Sequence, residues 1–332
     1  MVTNIKKKEL NEVHLLRAVA AISVTIFHLF LGNPELFPEK SILSKTTSYG
    51  YLGVEIFFIL SGYIICYSLP INYRYSNLKS FLIKRIVRIY PAYFVSILLV
   101  IILNYFSHYI THTANTLSWL DIFSNLFFFT NFGLGDYINV VYWTLGIEIQ
   151  FYVLIGLSFM LIKNSNGVIL YILILLAISS LPKTPNMDLI FPNLSIFALG
   201  ILTFFYKKKE MLKLRSFLIL SFSILVHIYF FLGTAVLIAS CICLFILLFW
   251  TKTNKVIIFF SNISFSLYLI HVTVGGKVIN LVLRYINTLP ERYLLFVSSF
   301  AITIFFSYLF YYIIEKPTLA WSKNIRYTNV EA

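Results

Sequence analysis

The sequence predicts an all-α fold: a polytopic integral membrane bundle of about ten helices with both termini in the cytoplasm. Three observations lead there. Of 332 residues, 59% are hydrophobic and only 12% are charged, where a soluble chain carries about 25% charged residues. Apolar runs long enough for a membrane helix, about 20 residues each, recur along the chain. The basic residues sit between those runs rather than within them.

In order, the runs are 13-31, 50-69, 87-106, 139-162, 167-181, 188-206, 214-232, 233-250, 256-274 and 293-314. The fifth is short and stops at Leu181-Pro182, and the seventh and eighth meet at Leu232-Gly233. The apolar stretch 119-132 is too short to span and reads as an interfacial or re-entrant helix. In lipid every backbone polar group needs an internal partner, and ten-residue alternating strands are absent, which favours helices over a barrel. Lys6, Lys7 and Lys8 precede the first run as they would in a signal peptide. However, the run carries Arg17 and lacks a small-x-small cleavage site, so a retained first helix is expected. No polar half exists to form a second domain: residues 1-318 read as one membrane domain and 319-332 as a short cytoplasmic tail.

With the N-terminus inside, twenty of the 26 Lys and Arg residues fall on the cytoplasmic side and six outside, as the positive-inside rule requires. The same scatter among short loops excludes nucleic-acid binding as the reason for the net charge of +13. Cys66, Cys241 and Cys243 all lie in apolar runs and imply neither disulfides nor a metal site. No internal repeat of the transporter kind is visible.

Ionisable groups inside spans are costly and mark function by default. In the first run Arg17 and His28 are eleven residues apart, about 20° past three full turns, so they share a face about 16 Å apart. Arg17 alone fits a side chain snorkelling to the headgroups; the co-facial pair calls for more. Glu55 lies about a turn into the second run. Arg85 and Arg88, three apart, stand with Lys84 at the expected entrance of the third, with Pro91 near its start, and could hold phosphates or anchor on anionic lipid. In the fourth, Thr144, Glu148 and Tyr152 fall on one stripe beside Trp143 and are expected to line one cavity. In the ninth, Ser264, Tyr268 and His271 share a stripe. Glu315-Lys316-Pro317 reads as a helix stop at the interface. Arginines therefore collect toward the cytoplasm, and carboxylates and histidines toward the outer side, where proton transfer is useful.

Six segments together resemble the membrane-bound acyltransferase family 3, which includes O-antigen and nodulation-factor O-acetyltransferases. They are Leu16-Arg17 with His28; Gly53-Val54-Glu55-Ile56-Phe57-Phe58 followed by Ser61-Gly62; Arg85, Arg88 and Pro91; Trp143-Thr144-Leu145 with Glu148; residues 264–271; and Glu315-Lys316-Pro317. His14 stands where the family often has Asp, and Glu55 where Asp is the alternative; His14 receives no role. The resemblance implies transfer of an acyl group, most often acetyl, from acyl-CoA to a sugar hydroxyl of a cell-surface or secreted glycan, by an enzyme of the bacterial cytoplasmic membrane. It implies Arg17, Arg85 and Arg88 on the CoA phosphates and His28 as general base or transient acyl carrier, with Glu148 or Glu55 orienting it. Trp143, Thr144, Tyr152, Tyr268 and His271 would lie along the substrates, and no metal is called for. The residues after the tenth run are too few for the hydrolase-like domain some members carry, so any such activity is expected from elsewhere or not needed. The competing reading is a transporter or flippase of a glycan or lipid-linked precursor, told apart by whether acyl-CoA binds and thiol is released.

Overall fold

The computed structural model describes residues 10–37, 42–70, 72–111, 117–209 and 211–327; Lys6, Lys7, Lys8 and Lys40 of the charge count lie outside them. No strand occurs among the described residues. The main helices are α1 (Asn11–Leu31), α2 (Ile42–Ser48), α3 (Gly53–Ser68), α4 (Leu78–Thr111), α5 (Trp119–Leu126), α6 (Tyr142–Ser158) and α7 (Ser165–Ser179). They continue as α8 (Leu194–Lys209), α9 (Leu214–Leu232), α10 (Thr234–Phe249), α11 (Lys255–His271), α12 (Lys277–Val282), α13 (Leu289–Phe310) and α14 (Lys316–Asn324).

Each of the ten apolar runs coincides with one of these helices. Among the described residues, seven helical stretches are long and apolar enough to cross a membrane; α7 and α10 are apolar but shorter. Large apolar side chains such as Phe222, Phe230 and Phe245 stand exposed on α9 and α10, the surface a hydrocarbon solvent demands. Gly233, with φ +92°, breaks the chain between α9 and α10, a conformation open to glycine at little cost. The 119–132 stretch forms the short α5, whose Ser118 cap accepts from the Asp121 amide at 3.0 Å, and then a tight helical turn.

Two expectations are corrected. First, α4 starts at Leu78, so Pro91 sits deep inside the helix rather than near its start, and Arg85 is 3% exposed. A basic run at the edge of an apolar stretch reads as a helix entrance, but Lys and Arg are good helix formers, and their stems pack while their heads seek polar company. Second, Glu315-Lys316-Pro317 is not a stop. A π-helical turn, Tyr311–Glu315, leads directly into α14, where Pro is tolerated near the helix start. The stretch set aside as a tail docks as far as Tyr327: Ser322 donates to the Lys84 carbonyl at 3.0 Å and the Tyr327 hydroxyl reaches the Ser68 carbonyl at 3.5 Å.

Small residues set the helix crossings. A Cβ on Gly62 would fall on the Phe197 carbonyl, and one on Gly200 on the Ile59 carbonyl, so α3 and α8 touch backbone to backbone. The same device brings Gly53 of α3 against Ala20 of α1. On α13 the buried stripe Ser299, Thr303 and Ser307 packs toward α11, with Ser299 donating to the Gly275 carbonyl at 2.9 Å. Such close approach is the main driving geometry for helix association in lipid. α1, α3, α4, α6 and α11 thereby surround the polar interior.

Candidate active site

The α1 spacing places Arg17 and His28 on the inward face, and the two residues open into different cavities. Arg17 lines a narrow cavity of about 100 Å³ with Arg85, Arg88, Glu148, Tyr152 and Glu315. Thr144, Tyr268 and Ser264 also line it. Most of the polar groups there are held by neighbours. Arg17 Nε donates to Ser264 Oγ at 3.1 Å. Arg85 donates to Ser68 Oγ and lies over the rings of Phe81 and Tyr152, at 5.4 and 5.8 Å. Glu148 Oε1 accepts from Ser61 Oγ at 3.0 Å and from the Tyr152 hydroxyl. Glu315, 2% exposed, accepts from the Ser266 amide and hydroxyl at 3.2 and 2.6 Å.

No ion pair joins Arg17, Arg85 or Arg88 to Glu148 or Glu315. Arg85 Nε is buried without a partner. Three guanidiniums with unspent donors around one cavity are equipped for a polyanion, which Arg grips through its fork of N–H groups. Arg85 Nε is the buried donor left over for such a group.

His28 lines a second cavity, which shares no lining residue with the first. Between them stands Tyr268. Its hydroxyl meets Thr144 Oγ1 at 2.6 Å and donates to the Val141 carbonyl at 3.2 Å. Its ring packs against Phe57 and, 6.0 Å centre to centre, against His271. His271 is fully buried. Its Nδ1 must donate to the Leu267 carbonyl at 2.9 Å, so Nε2 of the neutral ring accepts. That atom lies 3.1 Å from His28 Nδ1, which also faces the Val24 carbonyl at 3.1 Å. Both neighbours are acceptors, so the hydrogen-bond pattern assigns the His28 proton to Nδ1 and leaves the Nε2 lone pair for chemistry.

The expectation that Glu148 or Glu55 orients His28 is corrected: neither bonds to it. Glu148 is taken up by Ser61 and Tyr152 one cavity away, and Glu55 Oε2 is buried without a partner. His271 does the orienting instead. Trp143 packs edge-on against Phe58, with centroids 6.4 Å apart, and lines neither cavity. Thr144, Glu148 and Tyr152 do share a cavity, together with Tyr268. His14 bonds Ser261 Oγ at 2.9 Å through Nδ1. Sequence reasoning missed Asn139, which donates to the Leu269 carbonyl and Thr273 Oγ1 at 3.3 and 3.1 Å and fixes the wall of the His28 cavity. It also misread Glu315; the Ser264 and Ser266 positions beside it are the signal that could have flagged it. A π-helical turn, Val272–Gly276, follows His271, a geometry frequent at functional sites.

A protein family described as an acyltransferase domain matches residues 10–312. A peptidoglycan O-acetyltransferase of Listeria monocytogenes, OatA, is 32% identical over 173 residues, covering 48% of this chain and 25% of the relative. A Bacillus subtilis protein, YrhL, provisionally named a peptidoglycan O-acetyltransferase, is 30% identical over 155 residues, covering 42% and 22%. The chain thus matches about a quarter of the length of these relatives. No solved structure matches.

Proposed function

This chain belongs to that acyltransferase family, and on that premise we propose that it carries an acyl group, acetyl foremost, from acyl-CoA to a sugar hydroxyl of a bacterial cell-surface glycan such as peptidoglycan. In this reading the protein crosses the cytoplasmic membrane ten times with both ends inside, and the Arg17 cavity opens toward the cytoplasm. One observation carries the reading: unneutralised arginines at one end of the bundle are linked, through Tyr268 and His271, to an oriented imidazole at the other.

Arg17, Arg85 and Arg88 hold the donor's phosphates; Glu148, tied to Tyr152, and Glu315 keep that cavity polar and ordered. The thioester passes Tyr268 to reach His28. The acceptor oxygen attacks the thioester carbonyl, its proton goes to His28 Nε2, the carbon–sulfur bond breaks, and the proton returns to the departing thiolate. His271 holds the charged ring in place but cannot itself take the proton from substrate. Purified protein in nanodiscs should bind acetyl-CoA and release free thiol when glycan acceptor is added. Binding without thiol release under any acceptor would favour transport and end the proposal.

A further inference from the structure

The His28 cavity is the mouth of something larger. It measures about 240 Å³, and a second cavity of about 500 Å³ continues from it, since Gly32, Asn33 and Asn280 line both. Together they form a trench running from half-buried His28 and buried Asn139 out to exposed Arg284. The trench is preformed. Asn33 Nδ2 donates to Asn280 Oδ1 at 2.9 Å, clamping the loop after α1 onto α12. Leu36 and Phe37 of that loop are buried against Phe30, Ile279 and Leu295. Arg292 donates to the Glu35 carbonyl.

Among its apolar walls stand the amides of Asn33, Asn104, Asn139 and Asn280 and the hydroxyl of Thr273, groups that both donate to and accept from sugar hydroxyls. The Asn104 side chain lines the cavity without a hydrogen bond to another described side chain and keeps its carboxamide for an occupant. Lys277, half-buried at the start of α12 and lining the same cavity as His28, pairs with no carboxylate. An ammonium in that setting is costly unless an anion meets it. The charged side chains facing the trench are Lys277 and Arg284 against Glu35, a balance that favours an anion.

We propose that this trench is the acceptor site and takes an extended glycan bearing carboxylates. Lys277 holds a carboxylate while His28 works on a hydroxyl close by, and sugars farther along the chain lie past Asn33 and Asn280. The inference rests on the acyl-transfer reading for His28, but recognition by Lys277 can be measured without transfer.

The test uses peptide-free peptidoglycan strands and the same strands with their carboxylates reduced to alcohols. Binding of each to the full chain in nanodiscs is measured without donor, for wild type, Lys277→Gln and Lys277→Arg. Wild type should prefer the carboxylated strands by about tenfold or more, as a charge-assisted hydrogen bond implies. Lys277→Gln should lose that preference, and Lys277→Arg should keep most of it, with melting temperatures confirming that both variants fold. Equal binding of both strands by wild type, no binding of either, or a preference that survives in Lys277→Gln overturns the proposal. Failure of acetyl transfer with binding intact would instead strike at the acyltransferase reading.

Discussion

His271 Nε2 lies 3.1 Å from His28 Nδ1, and this contact decides which nitrogen of His28 can take a proton. Because His271 spends its own Nδ1–H on the Leu267 carbonyl, its remaining nitrogen can only accept, and His28 is left with a bare Nε2. A carboxylate would have done the same job with a full charge. Here a neutral ring does it, in a setting where a further buried charge is expensive.

Replacing His28 with Ala should lower kcat by about 10²–10⁴-fold, the usual value of a general base. His271→Phe keeps the ring volume but removes the acceptor. It should lower kcat by up to about 10²-fold, as a misplaced catalytic group does, with KM for acetyl-CoA unchanged. Steady-state kinetics check this; a rise in donor KM alone would move His271 into the donor site.

The guanidiniums should behave in the opposite way. Arg85→Ala and Arg88→Ala each remove charge-assisted donors worth about 1.5–3 kcal/mol. Donor affinity should fall about 10- to 100-fold, measured by isothermal titration with acetyl-CoA. Adding 3′,5′-ADP should compete with acetyl-CoA in wild type and lose that ability in Arg85→Ala.

Glu315 supports structure as well as charge. Glu315→Ala leaves the buried Ser266 hydroxyl, now bonded at 2.6 Å, without its carboxylate acceptor. The cost should be about 1–3 kcal/mol, seen as a lower melting temperature in nanodiscs. An unchanged melting point would mean that water replaces the carboxylate at no loss.

The α3–α8 crossing allows no side chain. Gly200→Leu places its Cβ on the Ile59 carbonyl, and the helices must separate. Overpacking of this kind costs about 1–3 kcal/mol or more, so yield of folded protein and melting temperature should both drop. Tolerance of Leu would show that the two helices slide freely.

Outside the membrane-spanning helices, the Asp121 carboxyl is held below the usual aspartate range, chiefly by the Ser118 hydroxyl. A lowered folded pKa stabilises the α5 cap above the unfolded value, about 3.9, and that support is lost as pH falls through the lower folded value. Asp121→Asn should therefore loosen α5 at neutral pH. Hydrogen exchange, corrected for intrinsic rate, should show the variant and wild type converging only as pH falls below the usual aspartate range.

Much of this was legible in the residues. Helical spacing alone puts Arg17 and His28 on one face, and the i, i+4, i+8 spacing gathers Thr144, Glu148 and Tyr152, because both rules concern one helix at a time. What failed concerned pairs of helices. Nothing in the sequence says that α11 delivers His271 to His28 and so takes the role foreseen for Glu148 or Glu55. The two cavities were invisible for the same reason: Tyr268 separates them from across the bundle. Glu315 was misread because Lys316-Pro317 follows it, and a π-helical turn leaves little mark in a sequence. Arg85 was placed at an entrance because charge was equated with exposure, whereas its flat guanidinium packs between Phe81 and Tyr152.

The central claim is that donor and acceptor meet from opposite ends of the bundle. Proteoliposomes holding the protein in one orientation can be loaded with glycan strands inside, with ¹⁴C-acetyl-CoA added only outside, at the Arg17 face. Label should appear on the enclosed glycan with wild type, and not with His28→Ala or Arg85→Ala. Labelling that requires donor and acceptor in the same compartment would contradict the account.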